Sequence, residues 1–143
     1  MKTVKVTFLA LSLFCLLGVV KAEKPKNRTV FTMKFSISSF IDADTRGLCN
    51  GLANIINDNA KFTMMRGDQL ISCNKKQIVN YLEKLRGIQQ NCTTSYDVIE
   101  AADKYALIKV VMKYPAFTRF NYVTMNECSD GWKITNVNSI FVK

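Results

Sequence analysis

Ser129-Asp130-Gly131-Trp132-Lys133-Ile134-Thr135-Asn136-Val137-Asn138-Ser139-Ile140-Phe141-Val142-Lys143, the last fifteen residues of the sequence, decide how the rest is read. Asp130-Gly131 makes a turn, and the residues after it alternate as in a strand. Side chains in a strand point to opposite faces with a period of two. Trp132, Ile134, Asn136, Asn138, Ile140 and Val142 therefore share one face, apolar at both ends with two amides between. A strand whose concave side closes a core and also lines a small polar pocket has this pattern. Asn136, Asn138 and Trp132 become ligand-pocket candidates, joined by Phe120 and Tyr122 on the strand before. A buried amide without a partner costs about 1–3 kcal/mol. A ligand or water in the pocket would account for the two amides, and so would solvent at mid-strand or bonds to helix ends. Trp132 is expected in the core.

Working outward, Thr93 to Asp103, Tyr105 to Tyr114 and Phe117 to Glu127 read as three strands preceding the last, the final pair joined across Asp130-Gly131. In the second of them Ala106, Ile108, Val110, Met112 and Tyr114 face one way, Lys109 and Lys113 the other. Further upstream, Phe40, Ile41, Leu48, Leu52, Ile55 and Ile56 recur at helical spacing. They predict a helix over about 39–57, capped by Ser38 or Ser39, with Asp42 and Asp44 in its early turns. Gly47 and Gly51 lie inside it, where close packing on the sheet is the expectation. Asn57-Asp58-Asn59 should end it. Lys61 to Met65 and Gln69 to Ser72 form a short hairpin about Arg66-Gly67-Asp68. Asn74 with Gln77 makes a capping box for a second helix, whose stripe Ile78, Tyr81, Leu82 and Leu85 should be buried, with Gly87 as its stop. Helix, hairpin, helix and meander together make an α+β domain, helices on the concave side of a curved antiparallel sheet.

The beginning of the chain reads as something else. Lys2 and Lys5 precede the apolar run Val6 to Val20, and Val20-Lys21-Ala22 suits cleavage, so residues 1–22 are expected to be a secretory signal peptide and residues 23–35 a leader into a domain over 36–143. No later run approaches the ~20 apolar residues of a membrane-spanning helix. Losing Lys2, Lys5 and Lys21 lowers the formal charge from +9 to +6. The remaining cations are interleaved with acids and form no Arg/Lys stripe with aromatics, so nucleic acid is not an expected partner. Cys49, Cys73, Cys92 and Cys128 stay with the domain, and an even count in an oxidising compartment reads as two disulfides, with three possible connectivities. Strand direction places Cys92 and Cys128 at opposite ends of the sheet, and the second helix separates Cys73 from Cys92. Elimination then favours Cys49–Cys92 with Cys73–Cys128. Asn27 and Asn91 each open an N-x-[ST] glycosylation acceptor.

Helix, hairpin, helix and four strands ending in Asp130-Gly131-Trp132-Lys133-Ile134 resemble the nuclear-transport-factor-2-like (SnoaL-like) superfamily, and within it the small secreted animal members. The likeness spans roughly Ser36 to Lys143; its specific part is the turn plus Gly-Trp-Lys-Ile. It implies a cone-shaped, cystatin-like fold around a pocket, hosting isomerases, dehydratases, cyclases and non-catalytic binding or dimerising domains. A fold this widely shared does not fix function.

The enzymes of that superfamily use His with Asp, or Tyr with Asp. This chain has no histidine, so the His dyad and the usual His-containing zinc sites are out. The Tyr that the isomerases carry on the first helix is absent too. Glu100 is the best general-base candidate left, and a solvated surface role is the expectation for it. No catalytic residue, metal or cofactor is therefore assigned. The reading is a secreted binding domain for a small apolar or amphipathic ligand, with a self-associating module as the alternative. A homodimer would use the open sheet face, which Lys109 and Lys113 make less suited to a dry interface. The cystatin inhibitor motifs, Gln-x-Val-x-Gly and Pro-Trp, have no counterpart. Arg66-Gly67-Asp68 matches an integrin-binding tripeptide, although the turn already explains its glycine.

Overall fold

In the computed structural model, which describes residues 31–143, the chain order is α1 (Met33–Arg46), α2 (Leu52–Ile55), β1 (Ile56–Arg66), β2 (Gln69–Asn74), α3 (Lys75–Lys84), β3 (Thr93–Ala102), β4 (Tyr105–Lys113), β5 (Thr118–Cys128) and β6 (Gly131–Val142). The six strands form one sheet in the order β2-β1-β6-β5-β4-β3. All neighbours are antiparallel except β1 and β6, which run parallel. The expected hairpin, second helix and four-strand meander are all present, with strand ends within two residues except at β1, which starts five residues before the expected Lys61. The leader of 23–30 and the proposed signal peptide, with Asn27, lie outside the described residues.

The first helix departs from expectation at both ends. It starts at Met33, because Thr32 accepts a bond from the Phe35 N–H (3.1 Å). Phe31 bridges to Gly131, giving its N–H to Asp130 O and taking the Trp132 N–H (2.8 Å). Residues 31–35 thus belong to the domain rather than to a leader, and the cap is not Ser38 or Ser39. The helix stops at Gly47, whose φ of 64° is left-handed. Gly51, also left-handed, then precedes the one-turn α2, so the predicted continuous helix is two. Asn57-Asp58-Asn59, expected as a turn, instead forms an irregularity within β1, between Ile56 and Lys61 of its pairing with β6. Asn57 Oδ1 accepts the Asn59 N–H there (3.0 Å).

At α3 the capping box is complete. Asn74 Oδ1 accepts from Gln77 N (3.0 Å) and Gln77 Oε1 from Asn74 N (2.9 Å). Asn74→Ala is expected to cost about 1 kcal/mol, read as a lower urea midpoint at unchanged slope. Of the predicted stripe Leu82 is buried, Ile78 and Leu85 are half-buried, and Tyr81 is exposed. Tyr81 stands at the cavity mouth described below rather than in the core.

The core lies between α1, α2, α3 and the inner sheet face, where Ile37, Leu52, Ile55, Ile108, Val110, Met125, Ile134 and Val137 are buried. Burying one such side chain stabilises by about 1.5–3 kcal/mol. Trp132 is half-buried against the edge of this core, not inside it, and its carbonyl accepts from Ser36 Oγ (2.7 Å).

The alternation of β6 is broken at Thr135. Opposite β5, Met125 pairs with Ile134 but Thr124 with Asn136, so Thr135 is an extra residue. Its hydroxyl bonds Asn126 Oδ1 (2.7 Å) and Thr124 O (3.3 Å). Beyond this bulge the faces exchange. Ile134 faces inward and so do Val137, Ser139 and Phe141, whereas Asn136, Asn138 and Ile140 turn outward.

Among the described residues the four cysteines are free thiols, so neither preferred pairing is present in this structure. Cys73 lies opposite Phe62 on β1, level with Val137 of β6. Cys128 lies opposite Gly131 of β6. About six residues along the strands at about 3.3 Å each put these two roughly 20 Å apart, against a limit near 7 Å. Cys49 is buried, its thiol donating to Leu82 O (3.3 Å). Burial first, and the Glu83 charge second, push its pKa up.

Candidate functional site

The helices stand off the open end of the sheet and leave a cavity of about 410 Å³. Its apolar wall is Phe40 of α1, Phe62 and Met64 of β1, Ile78 and Leu82 of α3, and Val137 and Phe141 of β6. Phe40 and Phe62 meet with ring centroids 6.2 Å apart. Gln77 and Tyr81 of α3 with Phe141 of β6, the more exposed lining residues, mark its mouth.

Polar groups converge on one side. Asp44 is one turn after Phe40 on the inner stripe of α1, as helical spacing requires. It is salt-bridged to Arg119 of β5, and the side chains are 9% and 17% exposed. The pair is therefore buried in the cavity wall. Burial alone would lower the Arg119 pKa, but the Asp44 charge and hydrogen bond outweigh it and leave it raised. Arg119 Nη2 also touches Met112 Sδ, while its buried Nε–H has no hydrogen-bond partner. Two residues along β5, Asn121 is buried with only the Met112 thioether for its amide N–H group (3.6 Å). Its carbonyl takes the Ser139 hydroxyl (2.7 Å). The cavity wall thus holds a neutral ion pair, one buried guanidinium N–H without a partner and a weakly engaged amide donor.

A second layer fixes the Asp44 end of α1. Gln90 gives its side-chain N–H to Asp44 O and its backbone N–H to Thr45 O (2.7 Å), and accepts the Tyr114 hydroxyl. The Tyr114 pKa is pushed up to about 12, chiefly by burial, with Arg119 opposing and Cys92 and Asp44 adding. Tyr114 is a hydrogen-bond donor here, not a base.

The residues expected at the pocket are on the other side of the sheet. Asn138 takes the Thr63 hydroxyl (3.3 Å) and lies opposite Tyr122; Asn136 lies opposite Thr124. Phe120 pairs with Ile140, and Lys109 Nζ sits 4.7 Å from the Phe120 ring centroid. None of them, nor Trp132, lines the cavity. The bulge at Thr135 is the reason on β6, and β5 follows because its inward face is Arg119, Asn121, Val123 and Met125. Glu100 is exposed on the edge strand β3. Asn91 is exposed just before that strand, and Arg66-Gly67-Asp68 is an exposed hairpin tip.

A six-stranded sheet with helices on its inner face, around an open-mouthed cavity with a few convergent polar groups, makes a cone-shaped α+β domain. No known family profile matches the sequence, and no curated protein does. Solved structures do match by shape. A nuclear-transport-factor-2-like protein of unknown function from Silicibacter pomeroyi superposes with a TM-score of 0.64 at 13% identity, covering 74% of this chain and 89% of that one. Another from Methylobacillus flagellatus gives 0.61 at 13% identity, covering 76% and 87%. A domain of unknown function with a cystatin-like fold from Nostoc punctiforme gives 0.53 at 17% identity, covering 73% and 71%. This chain has the nuclear-transport-factor-2-like fold. Among its described residues no helix is long and apolar enough to cross a membrane.

Proposed function

We propose that the chain is an exported, non-catalytic binding domain, its signal peptide being residues 1–22, and that the cone cavity holds a small amphipathic molecule with a neutral oxygen acceptor. The observation that carries the reading is the unpaired Arg119 Nε–H, buried in the polar side of a mostly apolar cavity wall. A buried donor without a partner costs about 1–3 kcal/mol, and a ligand carbonyl or hydroxyl that meets it after a small shift of the Arg119 side chain recovers it. Asn121 Nδ2, two residues away, supplies a second donor. Charge balance chooses the ligand class. Asp44 already neutralises Arg119, so a carboxylate would add an uncompensated charge to an apolar enclosure, which is costly. Binding is favoured over catalysis because the Asp44 carboxylate is engaged by Arg119 and Tyr114 is held protonated.

A neutral naphthyl ketone dye and its size-matched carboxylate, titrated against the purified protein, test this. The ketone is expected to bind at least about tenfold more tightly, a difference of roughly 1.4 kcal/mol. Ser139→Leu, which fills the cavity beside Asn121, should abolish the signal. It also removes the hydroxyl bonded to Asn121 Oδ1, so a stability loss of about 1–3 kcal/mol is expected, with the protein still folded. Equal binding of the two dyes, or binding that survives Ser139→Leu, would sink the proposal.

A further inference from the structure

The topology gathers one end of the molecule around the cavity mouth. Because β1 and β6 run parallel and β4, β5 and β6 alternate, the ends of β1, β4 and β6 meet the starts of β3 and β5 there, with the C-terminus of α3 beside them. A vestibule of about 300 Å³ opens at this end and shares Asp44, Tyr81, Arg119 and Phe141 with the inner cavity. Its rim is apolar and exposed: Tyr81 is 58%, Ile88 55% and Phe141 45% accessible. Phe117 joins Tyr114 (4.5 Å) to Phe141 (6.0 Å), so the aromatics form one continuous surface. Exposed apolar patches of this kind mark interaction sites.

Cations surround the patch. Lys84 ends α3, Lys113 ends β4 and precedes Tyr114, Lys143 follows β6, and Arg66 ends β1, all exposed. Of the acids near this end, Glu83 is engaged by Arg86 and Asp44 by Arg119, while Asp68 sits at the hairpin tip. An apolar patch inside a cationic ring is complementary to an anionic lipid surface, where the rings enter the headgroup boundary and the lysines meet the phosphates. The same ring disfavours a second copy of this chain, since a two-fold contact through this face would set like charges against each other.

We infer that this end of the cone docks on anionic membranes, with the mouth of the cavity facing the lipid. The inference goes beyond the ligand reading, and the two fail separately: dye binding reports the cavity, vesicle binding the rim.

The test is co-sedimentation of the purified protein with phosphatidylcholine vesicles, with and without phosphatidylserine. Binding is expected only to the anionic vesicles and should fall as salt rises. Each cation near such a surface contributes about fivefold, so Lys84→Gln with Lys113→Gln should weaken partitioning about 25-fold. Ile88→Ser, a change at an exposed position, should weaken it several-fold. Lys34→Gln with Lys104→Gln removes the same charge at the opposite end, where Phe31 meets Gly131 and Glu127 N bonds Lys104 O, and should change it little. No anionic-vesicle binding, or equal losses from the two lysine pairs, overturns the inference.

Discussion

Asp44→Ala is expected to destabilise the domain by about 3–5 kcal/mol, the usual consequence of removing one partner of a buried ion pair. The carboxylate it removes is the counterion of Arg119, which sits on β5 in a wall where its Nε–H is already unpartnered. Without Asp44, Nη2 keeps only the Met112 thioether. The guanidinium must then stay buried and uncompensated or drag the start of β5 towards water. Replacing both partners, Asp44→Leu with Arg119→Met, removes both charges and should restore most of the loss. That difference separates a buried charge from a lost helix contact. With urea slopes of about 1–3 kcal/mol per molar, the single change should move the unfolding midpoint by roughly 2 M. The loss should respond weakly to salt, because buried pairs are poorly screened. A single variant within about 1 kcal/mol of the parent, or a double variant no more stable than the single, would show the pair to be solvated.

That pair was hidden in the sequence for reasons that are physical. Asp44 looked like part of a helix start because Ser38 and Ser39 are good caps. The real cap, Thr32, works only because Phe31 is pinned to Gly131, a contact between residues a hundred positions apart. Arg119 is followed by Phe120 and Tyr122, two larger side chains that occupy the outer face of β5. Its own face, Arg119-Asn121-Val123-Met125, grades from polar at the mouth to apolar in the depth. By contrast β4 alternates without interruption, and its Ala106-Ile108-Val110-Met112 face is wholly buried. Local regularity was readable there because the one irregularity in its pairings, between Val98 and Glu100, lies on β3 and leaves the alternation of β4 intact. In β6 the sign of trouble was the spacing of Ile134 and Val137, three apart where a regular strand places core residues two apart. The bulge at Thr135 resolves that conflict, and it carries Asn136 and Asn138 to the outer face. The cysteines raise the same issue: an even count carries no information on distance. The cone itself was legible because element order, the hairpin turns and the α3 capping box are written in local sequence.

The last expected result concerns Gly47, where the end of α1 meets the loop that carries the vestibule. A Cβ at this position would lie 2.4 Å from Gly87 N, 2.5 Å from Leu85 O and 2.9 Å from Ile88 N. All three are backbone atoms, so no side-chain rotation relieves the contact. The left-handed φ of 64° adds about 1–2 kcal/mol for any residue with a Cβ. Gly47→Ala is therefore expected to cost at least about 4 kcal/mol, the range in which a named steric mechanism is required. It should also break the bond from Gly87 N to Gly47 O (3.1 Å). Gly51→Ala is the natural control. Its φ of 75° is equally left-handed, but a Cβ there meets nothing within 4 Å, so it should cost only the conformational 1–2 kcal/mol. Urea unfolding of the two variants, with amide exchange at Gly87 and Ile88, compares them directly. Equal costs would mean that the 85–88 loop yields freely to α1. A large gap with fast exchange at Gly87 would make this crossing of two backbones the hinge on which Leu85 and Ile88 are held at the mouth.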